Sequence, residues 1–342
     1  MHLESVGRLD AEQIAAVMAL DQRAQAVDHV APLSEQVLLA ARDSSGTGTE
    51  ARTEARTGDA HFLAYDGTHL AGYAHLERGT AERTASAGGL TADGQVAESA
   101  TAEVVVDPAD RRHGVGSALI HGMQDALGPL ADSLRIWAHG HLAGARALAE
   151  REGYSVVREL WSMRRPLLPD DGSLPAVTLP DGFTARHFVV GQDEGAWLTV
   201  NARAFAHHAE QGRLTRHDLD LRVAEPWFDA TGFILVEDTR GATPVLAASH
   251  WTKIVASTRP RVKPTQGEVY VVGVDPEYQG LGLGRAVTIL GLEHLRERGV
   301  TEAMLYVDAD NTAAIATYSR LGFTRFAVDV MYSPTIQPRV PR

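Results

Sequence analysis

Residues 271–291 read VVGVDPEYQGLGLGRAVTILG, and residues 103–123 read EVVVDPADRRHGVGSALIHGM. When the two are aligned, Val274-Asp275-Pro276 falls on Val106-Asp107-Pro108. Gly282 and Gly284 then fall on Gly114 and Gly116, an offset of 168 (282 − 114). Further on, Leu321-Gly322-Phe323 falls on Glu152-Gly153-Tyr154 at an offset of 169 (322 − 153). A drift of one residue over so long a span marks the tandem duplication of a domain-sized unit. Each copy reads as an apolar strand, a proline turn, a glycine loop and a helix. In the second copy the helix carries Val287, Leu290 and Leu295 as its stripe and Gly299 as its stop.

The rest of each half follows one order. A short strand precedes an apolar-periodic helix, with Ile14, Val17 and Met18 in one half and Ala196, Val200 and Ala204 in the other. A second helix is expected over Ser34–Ala41 and over Arg216–Ala224, followed by an antiparallel pair. In the first half Asp66-Gly67 is the turn signal of that pair. Alternating strands and helices predict α/β domains, each with a mixed, mostly antiparallel sheet flanked by helices. The segment RRPLLPDDGSLPAVTLPDG, rich in proline and glycine, separates the halves. The expected division is an N-terminal domain 1–165, a linker 166–182 and a C-terminal domain 183–342. The polar stretches 44–59 and 79–99, and 257–267 with Arg259, Arg261 and Lys263, read as loops.

Composition excludes several classes. The 342-residue chain carries a net charge of −12, which argues against a general nucleic-acid or anionic-membrane binder. With no cysteine it has neither disulfides nor thiolate chemistry. The opening MHLESVGRLDAEQ shows no basic start followed by an apolar run, so a cytoplasmic location is expected. A monomer is expected as well. His207-His208 and His139-Gly140-His141 lack further ligands at useful spacing, so no metal is expected and most of the 15 histidines read as surface residues.

A phosphate needs several donors converging at short range, and the N–H groups at a helix N-terminus supply them. Gln279-Gly280-Leu281-Gly282-Leu283-Gly284 removes side chains at three positions and continues into a helix. A P-loop would need Lys-Ser or Lys-Thr after the final glycine, where Arg285-Ala286 stands. The dinucleotide pattern would need glycine at 285 or 287, where Arg285 and Val287 stand.

These residues resemble the GCN5-related N-acetyltransferase (GNAT) family. Its pyrophosphate signature, [RQ]-x-x-G-x-[GA], matches Gln279 to Gly284 and again Arg111 to Gly116. The resemblance covers nearly the whole chain, one copy of the fold per half, and implies two tandem GNAT domains. It implies a bulged strand before each loop, at Val272-Gly273-Val274 and at Val104-Val105-Val106, and acetyl-CoA as co-substrate. The donor would be held by Val272 to Val274, by Gln279, Gly280, Leu281, Gly282, Leu283, Gly284 and Arg285, and by Asn311, Thr312, Ala313, Ala314, Ile315 and Ala316. The corresponding first-half residues are Val104, Val105 and Val106 with Arg112, His113, Gly114, Val115, Gly116 and Ser117. Glu35, Glu210, Lys253, Glu268 and Tyr306 match the family's acceptor positions, and they suit a small, hydroxyl-rich amine.

Acyl transfer to an amine needs a proton for the departing thiolate. Tyr318, seven residues after Asn311, is the expected donor. Glu268 serves either as base through water or as holder of the acceptor ammonium. In the alignment Tyr318 falls on Ala149, Asn311 on Leu142 and Glu268 on Ala100. Catalysis is therefore expected in the second half, and the first half reads as degenerate in catalysis. Other readings remain open at this point: a tandem acetyltransferase for a peptide or an aminoglycoside, or an acyl-CoA sensor without turnover.

Overall fold

In each half a strand enters a Val-Asp-Pro turn whose aspartate closes on the following backbone. Asp107 Oδ1 accepts from the Ala109 N–H at 3.0 Å, and Asp275 Oδ1 from the Glu277 N–H at 3.0 Å. An arginine from the preceding long helix pins each aspartate: Arg23 to Asp107 at 2.7 Å and Arg203 to Asp275 at 3.1 Å. A left-handed glycine then starts a helix, Gly114 at φ 86° and Gly282 at φ 81°, a conformation that costs glycine little.

The computed structural model describes residues 1–43, 59–78, 100–168, 174–206, 211–254 and 265–335. The expected loops at 44–59, 79–99 and 257–267 fall largely outside them. The described residues form two compact units, Met1–Glu159 with Val328–Arg342, and Leu160–Ala327.

The N-terminal unit contains β1 (His2–Val6), α1 (Ala11–Asp28), α2 (Glu35–Asp43), β2 (Ala60–Asp66), β3 (His69–Arg78), β4 (Ala100–Val106), α3 (Val115–Leu127), β5 (Leu134–Ala138) and α4 (Ala143–Arg151). The C-terminal unit contains β7 (Phe183–His187), α5 (Glu194–Ala204), α6 (Arg216–Val223), β8 (Phe233–Asp238), β9 (Val245–Lys253), β10 (Gln266–Val274), α7 (Leu283–Glu297), β11 (Glu302–Asp308) and α8 (Thr312–Arg320). Gly67 at φ 60° makes the expected β2–β3 turn, and Gly299 at φ 81° follows the end of α7 as expected.

The last strand of each half is exchanged. β6 (Tyr154–Pro166) pairs antiparallel with β11, from Glu302↔Pro166 to Asp308↔Leu160. β12 (Thr324–Pro334) pairs with β5 through Val330↔Ala138, Met331↔Trp137 and Tyr332↔Ile136. Strand order is therefore β1-β2-β3-β4-β5-β12 in the N-terminal unit and β6-β11-β10-β9-β8-β7 in the C-terminal unit. Both sheets are mixed and mostly antiparallel, with β4–β5 and β10–β11 as the parallel pairs. The compact units thus divide at 159/160 and 327/328, whereas the sequence places the boundary at 166–182. Two copies of one fold offer two equivalent sheet edges, and the alternation of a strand does not say which edge it joins.

Each sheet carries a core on both faces. In the N-terminal unit α3 and α4 cover one face with Leu119, Met123 and Ala149, and α1 and α2 cover the other with Leu20 and Val37, against Tyr73 of β3. In the C-terminal unit α7 and α8 cover one face. The face under α5 and α6 is aromatic: Trp251 stacks on Phe233 at 4.5 Å and meets Trp197, Phe228 and Tyr270 edge-on at 5.2–5.8 Å.

Most described histidines are at least partly exposed, and three, His61, His75 and His250, are buried. His250 lies under α7, where its Nδ1 faces the Val287 carbonyl at 2.9 Å. A Cβ on Gly291 would come within 2.0 Å of its ring. By register and offset, the first half places Ala74 at His250 and Met123 at Gly291. The same inter-element space is thus filled from the strand in one copy and from the helix in the other.

This exchange of volume is testable by calorimetric or denaturant unfolding. His250→Ala and Gly291→Met should each destabilise by about 2 kcal/mol, and the double variant should recover at least half of the summed loss. Burial holds the His250 pKa down to about 4, against 6.5 for a free imidazole, although its bond to Val287 opposes the shift. The unfolded chain therefore takes up this proton first. The stability contribution is complete above pH 6.5 and falls as pH drops toward 4, by at most about 3 kcal/mol. The double variant should lack this acid-linked loss.

Candidate acyl-transfer site

The parallel strands part. β10 and β11 pair only at Gln266↔Glu302, Gly267↔Ala303 and Glu268↔Met304. Beyond Glu268 the β10 backbone keeps its β9 ladder, through Val272↔His250, Gly273↔Ser249 and Val274↔Ala248, while β11 stays paired with β6. The backbone donors and acceptors that face the gap are left to serve an extended ligand. β4 and β5 part in the same way after Glu103↔Trp137, so Val104–Val106 border a corresponding gap.

Phosphate-holding geometry lies at the end of each gap. Gly280 and Gly282 take φ of 80° and 81°, and the Ala286 N–H is the first of α7 to reach back, to the Gly282 carbonyl at 3.1 Å. The N–H groups of Leu283, Gly284 and Arg285 therefore precede the intrahelical ladder. The first half repeats the backbone with different side chains. Arg112, which aligns with Gly280, is left-handed at φ 70°, and Gly114 is left-handed at φ 86°. Ser117 is occupied locally, its hydroxyl donating to Glu152 at 2.6 Å.

Of the two bulged strands expected, one carries a bulge, and it precedes Val272–Val274. β10 shifts register between Val269 and Val271, so Tyr270 and Val271 both lie on the α5–α6 face. Val272 turns to the opposite face, among residues packed by α7. Strict alternation would have put Glu268, Tyr270 and Val272 together, and the bulge removes Val272 from that set. β4 pairs with β3 through seven successive residues, Gly72↔Val106 to Arg78↔Ala100, with no shift. The Val104–Val106 bulge is thus a corrected expectation.

Three acceptor candidates meet on the α5–α6 face. Glu268 and Lys253 are register partners across β10 and β9, Glu268 pairs with Met304 on β11, and Tyr306 lies two residues further along. Tyr306 is 46% exposed, so its ring is open to a ligand. Lys253 Nζ sits 4.8 Å from the Trp227 ring and 5.0 Å from the Tyr270 ring. Glu35 opens α2 in the N-terminal unit, and Glu210 lies outside the described residues. Trp227 and Tyr270 escaped the sequence reading. The clustering of Trp227, Phe228, Phe233, Trp251 and Tyr270 in the second half alone was the available signal.

The candidate acid sits on α8. Tyr318 is partly buried against the α7–α8 core, with its ring edge-on to Phe323 at 5.9 Å. Removal from water pushes its pKa up to about 12. Asn311 is the N-cap of α8, its side-chain oxygen accepting from the Ala314 N–H at 3.1 Å, which fixes where the helix starts. The remaining N-terminal residues of α8, Thr312 to Ala316, follow directly from that cap.

The N-terminal unit keeps the space without these groups. A cavity of about 790 Å³ lies between Val104–Val106, Arg112–Gly116 and Leu142–Ala149. Ala149 is buried where the second copy has Tyr318. Beside the cavity His139 faces Asp329 at 3.1 Å and Glu103 at 3.4 Å, while Glu103 accepts from the Ser34 N–H at 2.6 Å. Burial opposes the His139 charge, but the two carboxylates prevail and raise its pKa to about 10. His69, Asp107 and Asp110 also lie close together, with Asp107 already holding the Arg23 guanidinium.

A profile described as the acetyltransferase (GNAT) family matches residues 203–323. The chain is 46% identical to a mycothiol acetyltransferase of Catenulispora acidiphila over 96% of its length and 97% of that protein's. It is 48% identical to a mycothiol acetyltransferase of Thermomonospora curvata, over 94% and 93%. Among solved structures, a tandem GNAT protein from the clavulanic acid biosynthesis pathway superposes with a TM-score of 0.63 at 18% identity, over 98% of this chain and 100% of that one. A GCN5-related N-acetyltransferase from Sphaerobacter thermophilus gives 0.59 at 23%, over 98% of both. At such identities these two likenesses concern the fold. Among the described residues no helix is long and apolar enough to cross a membrane.

If Tyr318 supplies the thiolate's proton, Tyr318→Phe should lower kcat by about a hundredfold or more and leave the donor KM within a few-fold. With its pKa raised to about 12, the hydroxyl stays protonated as pH rises through 10. The pH profile of kcat should therefore show no alkaline limb from this residue below about pH 11.

Proposed function

The chain belongs to the mycothiol acetyltransferases of the GNAT family, and we propose that its C-terminal unit acetylates the cysteinyl amine of cysteinyl-glucosaminyl-inositol (desacetylmycothiol) with acetyl-CoA, giving mycothiol and CoA. The observation that carries this reading is the grouping of Glu268, Lys253 and Tyr306 on the face beside the parted strands, in the half that holds Tyr318. Carboxylate, ammonium and phenol suit an acceptor made of one amine and many hydroxyls.

In this reading the pantetheine arm enters the gap beyond Glu268 and pairs with the Val272–Val274 backbone, as an added strand would. The pyrophosphate lies on the loop Gln279–Arg285 and the N-terminus of α7, with Asn311–Ala316 flanking the arm. The neutral amine attacks the thioester carbon, so a C–N bond forms as the carbonyl π pair moves to oxygen, and the C–S bond breaks when that oxyanion collapses. The nitrogen's proton leaves through water or Glu268, and the departing thiolate takes the Tyr318 proton. Strand N–H groups facing the carbonyl would stabilise the tetrahedral oxyanion.

The N-terminal unit, lacking that acid and carboxylate, is proposed to bind acetyl-CoA without turnover through Val104–Val106 and Arg112–Ser117. The protein is proposed to act as a cytoplasmic monomer without a metal.

Purified protein should acetylate desacetylmycothiol in preference to peptide amines and aminoglycosides. A substrate panel in which one of those wins would replace the acceptor named here. Glu268→Gln separates its two roles: lost kcat at unchanged acceptor affinity identifies a base, and weakened affinity a binder. Calorimetric titration with acetyl-CoA should give two sites per chain and, in Arg112→Glu, one. A single site in the parent would remove the N-terminal assignment.

A further inference from the structure

Of the chain's 32 basic residues only Lys253 and Lys263 are lysines. In so arginine-rich a chain, the retention of lysine at 253 asks for a reason. Its surroundings supply one. The Trp227 and Tyr270 rings lie 5.2 Å apart at 66°, forming a corner, and Nζ rests 4.8 Å and 5.0 Å from their centroids. A compact ammonium fits a corner of two π faces and keeps rotatable N–H donors, whereas a planar guanidinium would lie along one ring.

The corner is itself braced. Arg222, buried on α6, donates from Nε to the Tyr270 hydroxyl at 2.7 Å and from a terminal nitrogen to the Asp218 carbonyl at 2.8 Å. Asp218 in turn closes the capping box with Thr215 that starts α6. Behind the corner Trp251 meets Trp227 at 5.6 Å and Tyr270 at 5.2 Å. Tyr270 lies at the register shift of β10 and shares this face with Glu268 by strand alternation.

Among the described residues the first half has no counterpart. Arg78 takes the register position of Lys253, and its guanidinium donates to the Ala126 carbonyl at 2.8 Å. Ala102 aligns with Tyr270, and His75 with Trp251. The aromatic corner, like Tyr318, is present in the C-terminal half alone.

We propose that Trp227 and Tyr270 are positioning residues that hold the Lys253 ammonium on the acceptor face, and that this fixed cation sets specificity for a hydroxyl-rich amine. The inference rests on the function proposed above. Ring faces attract an ammonium through their quadrupoles and take up none of its N–H donors as a carboxylate would. Its donors can meet acceptor hydroxyls, while its charge repels the acceptor's own ammonium toward Glu268.

The test is steady-state kinetics on the full chain with desacetylmycothiol. Trp227→Leu should raise the acceptor KM about tenfold, with kcat and the acetyl-CoA KM within twofold. Trp227→Phe, which keeps a ring face, should restore most of the loss, and Lys253→Arg should not replace lysine. In a Lys253→Met background, Trp227→Leu should add less than twofold. A full tenfold added in that background, or parallel loss of acetyl-CoA affinity, would assign Trp227 to packing and overturn the proposal.

A second readout is independent of the acceptor. With two lysines in the chain, selective 13C labelling at Lys Cε gives two signals, and that of Lys253 should be shifted upfield by the rings. Trp227→Leu should move it back toward the free-lysine position, whereas an unshifted Lys253 signal in the parent would end the proposal. If the ring shift is present but the parent does not acetylate desacetylmycothiol, the acceptor assignment fails and the positioning stands.

Discussion

The separation of two parallel strands is the constraint on which the rest of this protein depends. A parallel ladder allowed to continue past Glu268 and Met304 would consume the backbone groups that an extended ligand needs. Keeping the strands apart has a cost, because unpaired backbone must otherwise be satisfied. Each strand is therefore held from its outer side, β10 by β9 and β11 by β6, and the wedge opens between two well-paired ribbons. The bulge adds twist where the parting begins, and the aromatic cluster around Trp251 supports the strand from the α5–α6 face.

This arrangement explains the exchange of last strands in physical terms. β5 and β11 each need an outer partner, since the inner side is open toward the ligand gap. Any antiparallel strand of suitable pattern satisfies that need, and the duplicated chain carries two. β12 brings Asp329 to His139 and Gly140, so residues 190 and 189 positions apart complete one ion network. No local pattern announces such a pairing. Sequence periodicity identifies a strand and its buried face, but the choice of edge is a property of the assembled sheets.

What could be read from the sequence follows the same physics. The glycine loops were legible because left-handed φ and close approach are demands that few residues meet. Gly280 and Gly282 therefore signal their conformation directly, as does Gly67 in its hairpin. Arg112 shows the limit of that reading: it adopts the left-handed φ of Gly280 without being glycine, and only the alignment of the two copies suggests the position. The reversal of Val272 was not legible, because one inserted residue inverts every later side chain and Tyr270 resembles any other strand tyrosine. Buried His250 was equally hidden, since its place depends on a glycine 41 residues away (291 − 250).

The two copies divide the problem of acyl transfer between backbone and side chains. Strand parting, the Val-Asp-Pro turn with its arginine, and the left-handed loop into a helix all recur in both halves. The groups among these that would meet the donor are main-chain N–H and C=O, so side chains around them can drift. Core packing has drifted freely, as Ala74 with Met123 against His250 with Gly291 illustrates. The proposed acceptor face and acid are made of side chains, and there the halves diverge: Ala100, Arg78 and Ala149 stand against Glu268, Lys253 and Tyr318. A duplicated domain can lose acceptor chemistry by a few substitutions while its donor geometry persists, because that geometry is also what holds the sheet and its loop together. Persistence of the N-terminal cavity is then the expected outcome of folding constraints, even where no turnover occurs in it.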